Sequence, residues 1–237
     1  MLIVVLIPHF FTEKATLKLI KPIGSFEIIF VALKNGVSEF INESSSGITI
    51  MIFNFIMIKY LGSDGVAAYT IVTYFIMISF AVGDGLQPIV AKHYGAKAFE
   101  RIRVFLKLGF ITIMSFSFFI VLFVLIDPQF LVNIFLNENS IHTIDITIEF
   151  LKYTWVAFMF VGLNILITSY LTAIHQPFAS ASISIARSLV FPLFFVILLS
   201  NYFGIIGVYV ALPFSEIFAF IIAIYFFKKY SLQNLEW

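Results

Sequence analysis

Residues 36–60 read GVSEFINESSSGITIMIFNFIMIKY, and what decides the fold is how little of that stretch is free of charge. Only 15 residues separate Glu43 from Lys59. At about 1.5 Å of rise per residue they make about 22 Å of helix, short of a hydrocarbon core of about 30 Å. A helix that crosses a bilayer here must begin near Gly36 and draw Glu39 and Glu43 below the headgroups. There a carboxylate is costly unless it is neutralised or paired.

The rest of the chain makes the bilayer the expected solvent. Of its 237 residues 61% are hydrophobic, 18% aromatic (31 are Phe) and 11% charged, and the mean hydropathy is +1.06. A water-soluble domain carries about 25% charged residues, and one of this size cannot bury so much apolar surface. With no Cys and a net charge of +1, a disulfide-stapled domain and a nucleic-acid binder are excluded, as is a disordered chain. Uncharged runs of 19, 19 and 22 residues follow Asp64, Lys107 and Lys152, each enough for one helix. The 28 residues between Arg187 and Glu216 are too many for one, and Asn201-Tyr202-Phe203-Gly204 divides them.

Lys and Arg favour the cytoplasmic ends of spans. Twelve of the 14 fall on one set of ends (Lys14, Lys18, Lys21, Lys34, Lys92, Lys97, Arg101, Arg103, Lys107, Arg187, Lys228 and Lys229), against Lys59 and Lys152 on the other. With basic residues inside at both termini the number of complete spans is even. The expectation is an all-α polytopic protein with six transmembrane helices near 36–58, 66–86, 105–126, 151–173, 179–199 and 205–227, within a lobe covering 36–229. The short turn Leu61–Gly65 and an acidic connection from Asp127 to Glu149 lie outside. Residues 22–35, too short to span, read as an interfacial helix, and 230–237 as a cytoplasmic tail. Residues 1–21 read as the last turns of a preceding, truncated helix and a linker, because Met1 to Phe11 lacks the basic start and small-residue cleavage site of a signal peptide. The protein is expected in the plasma membrane, multi-pass, with both termini cytoplasmic.

Ionisable residues inside a span are candidates for function. Glu39 and Glu43, at i and i+4, share a helix face with Asn42 beside them and Asn54 three turns further on. Two carboxylates on one face in a low dielectric cannot both ionise cheaply, so the pair loads and releases a proton or holds a cation. Alternatively, Glu39 sits at the headgroups and pairs with Lys34. Arg187 and Glu216 lie at matching depths on successive helices, as a structural ion pair or as part of a transport path, and Arg187 can also snorkel. Asn164, mid-span, can bond a substrate or a neighbouring helix. Asp84, between Gly83 and Gly85 and ahead of Gln87-Pro88, reads as part of a break at a helix end. No metal-ligand spacing, phosphate loop or nucleophile elbow occurs, so neither an enzyme nor a cofactor other than a coupling ion is expected.

In order along the chain come Asn35-Gly36-Val37-Ser38-Glu39-Phe40, then Asn54, then Tyr60-Leu61-Gly62-Ser63-Asp64-Gly65-Val66-Ala67-Ala68-Tyr69. Gly85-Leu86-Gln87-Pro88-Ile89-Val90 leads to His93-Tyr94-Gly95-Ala96-Lys97 and Arg101; Phe160-Val161-Gly162-Leu163-Asn164 precedes Tyr170-Leu171-Thr172-Ala173-Ile174, and Ser184 to Arg187 follow. These segments, over most of Pro22 to Lys229, resemble the second six-helix lobe of multidrug and toxic compound extrusion (MATE) transporters. The resemblance implies twelve helices in two lobes, alternating access between them, and export of lipophilic or cationic compounds in exchange for H⁺ or Na⁺. It carries the coupling glutamate of the first span over to Glu39, with Glu43 as a further candidate. Some members have an aspartate in the span matching 151–173, where this chain offers Asn164.

Half a transporter supplies one wall of a cavity, so the expected partners are the bilayer, small-molecule drugs or organic cations, and an N-terminal lobe in the same or a separate chain. A fragment of a longer product is favoured over a pairing half-transporter or an inactive remnant, because Met1 falls inside what reads as a helix. A lipid-linked oligosaccharide flippase of the same superfamily and a non-transporting membrane scaffold are the alternatives. The flippase is expected to need more basic groups facing the cavity than Arg187.

Overall fold

The structure is a computed structural model and describes residues 26–136 and 140–231, the side chains at 27, 28, 31, 32, 34, 35, 38, 39 and 42 excepted. The chain divides between Lys34 and Asn35 into two units. In the first, the described residues 26–34 are helical; the helix end and linker expected over 1–21 lie outside the described residues, as do 232–237 of the expected tail. The second unit holds the membrane lobe.

In chain order the elements are α1 (Phe26–Gly95), α2 (Phe99–Ile126), a short α3 (Pro128–Asn133), α4 (Ile141–Ala173), α5 (Pro177–Ile185), a π-helical turn (Ala186–Val190), α6 (Phe191–Phe203) and α7 (Ile205–Lys229). No strand occurs among the described residues. α1 is two helices, not one. At Gly62 the backbone takes φ 65° and ψ −151°, a region that only glycine occupies without strain. A straight helix would hold Phe53 and Tyr69 about 24 Å apart, yet their rings stack at 5.2 Å between centroids. The chain therefore reverses at Gly62, and the two arms pack against each other. Gly204, at φ 58°, makes the corresponding reversal between α6 and α7.

Among the described residues, five helical stretches are long and apolar enough to cross a membrane: Glu43–Gly95, Phe99–Ile126, Ile141–Ala173, Pro177–Phe203 and Ile205–Lys229. The first makes two passes because of its reversal. The helices run past the ends expected from the charge pattern. α4 begins at Ile141 rather than near 151, and α3 fills part of the expected outer connection, capped by Asp127 Oδ1, which accepts the Phe130 N–H at 3.2 Å. The second arm of α1 continues to Gly95, through Asp84 and Pro88 where a break is expected. Charges limit how much of a helix can lie in hydrocarbon; they do not stop the backbone hydrogen-bonding onward into the headgroups.

α4 is the central post, packing against α2, α5 and α7, and much of its length is buried. One apolar cluster joins Phe53, Met57, Tyr69, Phe150, Phe158, Val196 and Tyr209 from α1, α4, α6 and α7; a second joins Val90, Ile102, Leu166, Tyr170, Ile174 and Ala223 toward the other end. Polar ties between helices supplement this packing. Ser117 Oγ donates to the Phe158 carbonyl at 2.8 Å, and Thr143 Oγ1 to Asp64 Oδ1 at 2.6 Å, pinning the start of α4 to the Gly62 turn. Outward, Phe118, Leu125, Ile126, Ile197 and Ile221 are exposed. A rim of bare aliphatic and aromatic side chains around a packed centre is the form a protein takes when lipid is its solvent.

Candidate functional site

The break between α5 and α6 builds the site. Pro192 has no N–H to offer the carbonyl four residues back, Ser188, and its ring crowds that carbonyl. The backbone responds by widening: the Phe191 N–H reaches back five residues to the Ala186 carbonyl. π turns of this kind recur where a helix must present a group out of its regular spacing. The freed Ser188 carbonyl accepts a hydrogen bond from Thr49 Oγ1 on the first arm of α1, so two helices are joined at the site of the break.

The group presented is Arg187, and its side chain is 7% exposed. Its Nη1 lies 3.4 Å from Oε1 of Glu216 on α7, and its Cζ lies 5.0 Å from the centre of the Phe80 ring on the second arm of α1. The other carboxylate oxygen of Glu216 accepts from Asn164 Nδ2 at 2.7 Å, and the Glu216 main-chain carbonyl accepts from the same nitrogen at 3.0 Å. Three helical segments thus converge on one carboxylate. A charge taken out of water survives only with partners such as these.

Arg187 and Glu216 line a groove of about 590 Å³. Glu43 and Asp84 line it too, with Thr49, Thr73, Ser188 and Ser215 as neutral polar groups. Its apolar wall includes Tyr69, Ile76, Met77, Phe80, Pro192 and Leu212. Beside it lies a water-sized cavity of about 30 Å³, whose lining includes Asp84, Gln87, Thr168, Ser169, Thr172, Ser184 and Arg187. No group of three or more His, Cys, Asp or Glu that could hold a metal occurs among the described residues.

The sequence-derived candidates fall in three places. Glu43 is exposed on the groove, while the side chains of Glu39 and Asn42 lie outside the described residues. Arg187 and Glu216 meet. Asn54 and Asn164, candidates as polar groups of a cavity, do not line the groove, and Asn164 takes the other role open to it, a bond to a neighbouring helix. Asn164 is fully buried and spent on Glu216, and Asn54 keeps a buried Oδ1 without a partner. The sequence does signal the break, through Pro192 in an apolar run four residues after Ser188, although a plain helix over 179–199 is the expectation there. Asp84, expected at a helix break, instead lines the groove, because the helix runs on through its glycine neighbours. Thr49 and Phe80 carry no signal, because their role depends on which helices meet.

The profile of the MatE family matches residues 37–198. Among solved structures, the chain is similar to a MATE protein in complex with MaL6, at 17% identity over 96% of this chain and 52% of that one, TM-score 0.83. It is also similar to a multidrug resistance MATE family transporter of the MOP superfamily in an outward-facing conformation, at 18% identity over 92% and 50%, TM-score 0.77. A third similar structure is a MOP superfamily transporter from Pyrococcus furiosus, whose binding pocket is described as of reverse polarity, suggesting a different function: 18% identity over 96% and 52%, TM-score 0.81. At such identities the likeness is one of fold, and the chain spans about half the length of these structures. No curated protein sequence matches it. With the family profile covering more than half of its residues and its helices following those of MATE structures, the chain belongs to the MATE family of membrane transporters.

Proposed function

We propose that the chain is one lobe of a secondary active exporter in the plasma membrane, which moves lipophilic or cationic compounds outward in exchange for H⁺ or Na⁺. An N-terminal lobe, in the same or a separate chain, supplies the facing wall. The observation that carries this is the make-up of the groove. Glu43, Asp84 and Glu216 outnumber the single Arg187, against a wall of Tyr69, Phe80, Met77 and Leu212. A flat cation is held by carboxylates at its charge and by aromatic and aliphatic surface along its body. The sign of the groove matters, since a solved MOP superfamily transporter with a pocket of reverse polarity is described as suggesting a different function. An oligosaccharide flippase would meet its pyrophosphate-bearing substrate with cations, and the one guanidinium on this groove is already paired with Glu216.

Glu43, with Glu39 a turn before it, is our candidate for coupling, since a proton or ion loaded on a groove carboxylate competes for the same charge as a cationic substrate. The test is ethidium accumulation in cells expressing the chain together with its N-terminal lobe. Wild type lowers accumulation, and Glu43→Gln with Glu39→Gln restores it to that of empty cells. Undiminished export by the double variant removes the coupling role. A stable complex that changes no compound's distribution would favour a scaffold.

A further inference from the structure

A further cavity lies apart from the groove that holds Glu43, Arg187 and Glu216. α2 and α7 each pack on α4 and hardly touch each other, so a cleft opens between them with α4 as its floor. Its volume is about 350 Å³, within the range of pockets that take one small molecule, about 300–1,000 Å³. Phe110 comes from α2, Leu163, Leu166 and Ile167 from α4, and Phe220 and Ile224 from α7. The floor is tight. A Cβ on Gly109 of α2 would lie 3.0 Å from Leu166 Cδ1, so α2 cannot slide inward to take up the space. Carbon walls with nothing between them forfeit their dispersion contacts on one side, and a bilayer offers hydrocarbon to fill them.

The lining is carbon except toward the end where α2 begins and α7 stops, where Lys107 joins it. Lys107 is exposed, and no carboxylate pairs with it among the described residues. That end of the lobe is its basic one. Arg101 and Arg103 open α2 and Lys228 and Lys229 close α7; Tyr94 touches the rings of Phe99 at the start of α2 and His175 just after α4, and Tyr170 Oη of α4 donates to the Tyr230 carbonyl at 2.8 Å. Lys and Arg gather on the side of a membrane where its anionic lipids lie. A hydrocarbon trough with a cation at its headgroup end is complementary to an amphiphile with a negative head. We propose that the cleft between α2, α4 and α7 binds an anionic phospholipid, with an acyl chain along Phe110, Leu163 and Phe220 and the phosphate on the Lys107 ammonium. The lysine suits both parts, since its methylenes lie on apolar surface while its charge reaches the headgroups. α7 borders both spaces, the groove with Leu212, Ser215 and Glu216 and the cleft with Phe220, Ile224 and Phe227. A seated lipid therefore braces against α4 the helix that carries Glu216, whatever the groove transports.

The experiment takes the chain together with its N-terminal lobe in detergent and titrates it with phosphatidylglycerol, or with phosphatidylcholine of the same acyl chains, while thermal unfolding is followed. Phosphatidylglycerol should raise the unfolding temperature at a lower concentration than phosphatidylcholine does, and glycerol phosphate, an anion without chains, should not raise it. Lys107→Gln should weaken the response to phosphatidylglycerol about fivefold, to that of phosphatidylcholine. Lys92→Gln removes the same charge from an exposed position at the same end but off the cleft, and it should respond as wild type. Leu163→Trp, which fills the cleft, should weaken the response to both lipids; the two lysine variants carry the test if it does not fold. No response, or an equal response to the two lipids in wild type, overturns the site and leaves the cleft to the other lobe or to a second copy. Equal losses in Lys107→Gln and Lys92→Gln overturn it in favour of a diffuse attraction to the basic end, and protection by glycerol phosphate alone in favour of a surface anion site.

Discussion

At the scale of single residues, the groove is held by partners that each satisfy another. Asn164 donates twice to Glu216, so Asn164→Leu strips a buried carboxylate of a donor it cannot replace from water. Losing a hydrogen bond to a buried charged group costs about 1.5–3 kcal/mol; the variant should unfold below wild type in detergent, and Glu216→Gln in the same background should recover part of the loss. Part of this network is legible in the sequence. Arg187 and Glu216 sit at equal depth on successive helices, and depth follows from counting residues. Asn164 is legible as a polar group in mid-membrane but not as a partner of Glu216, because the rotation of α4 against α7 is set by packing around Phe158, Tyr209 and Ala219 and not by local spacing.

At the scale of elements, the reversals at Gly62 and Gly204 and the break between α5 and α6 shape the lobe. Gly62 holds a backbone conformation that a side chain disfavours by about 1–3 kcal/mol, so Gly62→Ala should lower the unfolding temperature although a Cβ there meets nothing within 4 Å. A glycine among small and polar residues between two apolar runs announces such a turn, and Leu61–Gly65 has that form. The π turn is a different matter. Its cause, Pro192, is visible in the sequence, but its stabilising contact comes from Thr49, 139 residues away. Thr49→Val should cost about 1–2 kcal/mol by leaving the Ser188 carbonyl buried and unpaired. Combined with Pro192→Ala, which returns a backbone N–H to that carbonyl, the same change should cost distinctly less. Equal costs in both backgrounds, measured by chemical unfolding, would show that Thr49 does not serve the break.

At the scale of the molecule, composition and the sidedness of Lys and Arg are enough to give a helical membrane protein, because the bilayer imposes a length and a charge rule on every span. They are not enough to give helix ends. α4 starts at Ile141, well before the expected 151, since headgroups and water tolerate both helix and charge. Nor can they show which faces meet: the groove joins both arms of α1 to α6 and α7, which are far apart along the chain.

If this groove is a polar path inside the membrane that a cationic compound enters, a thiol on its wall must be open to water-borne reagents and shielded by the compound. The chain has no Cys, so one introduced thiol reports without background. Ser46→Cys places it on the groove wall, and Phe118→Cys places it on the apolar rim, where Phe118 is 59% exposed. In membranes holding the chain with its N-terminal lobe, a charged methanethiosulfonate reagent should modify Ser46→Cys, should leave Phe118→Cys untouched, and should be slowed at Ser46→Cys by ethidium. Equal inertness at the two positions, or modification at Ser46→Cys that ethidium does not slow, would show that the groove is no such path.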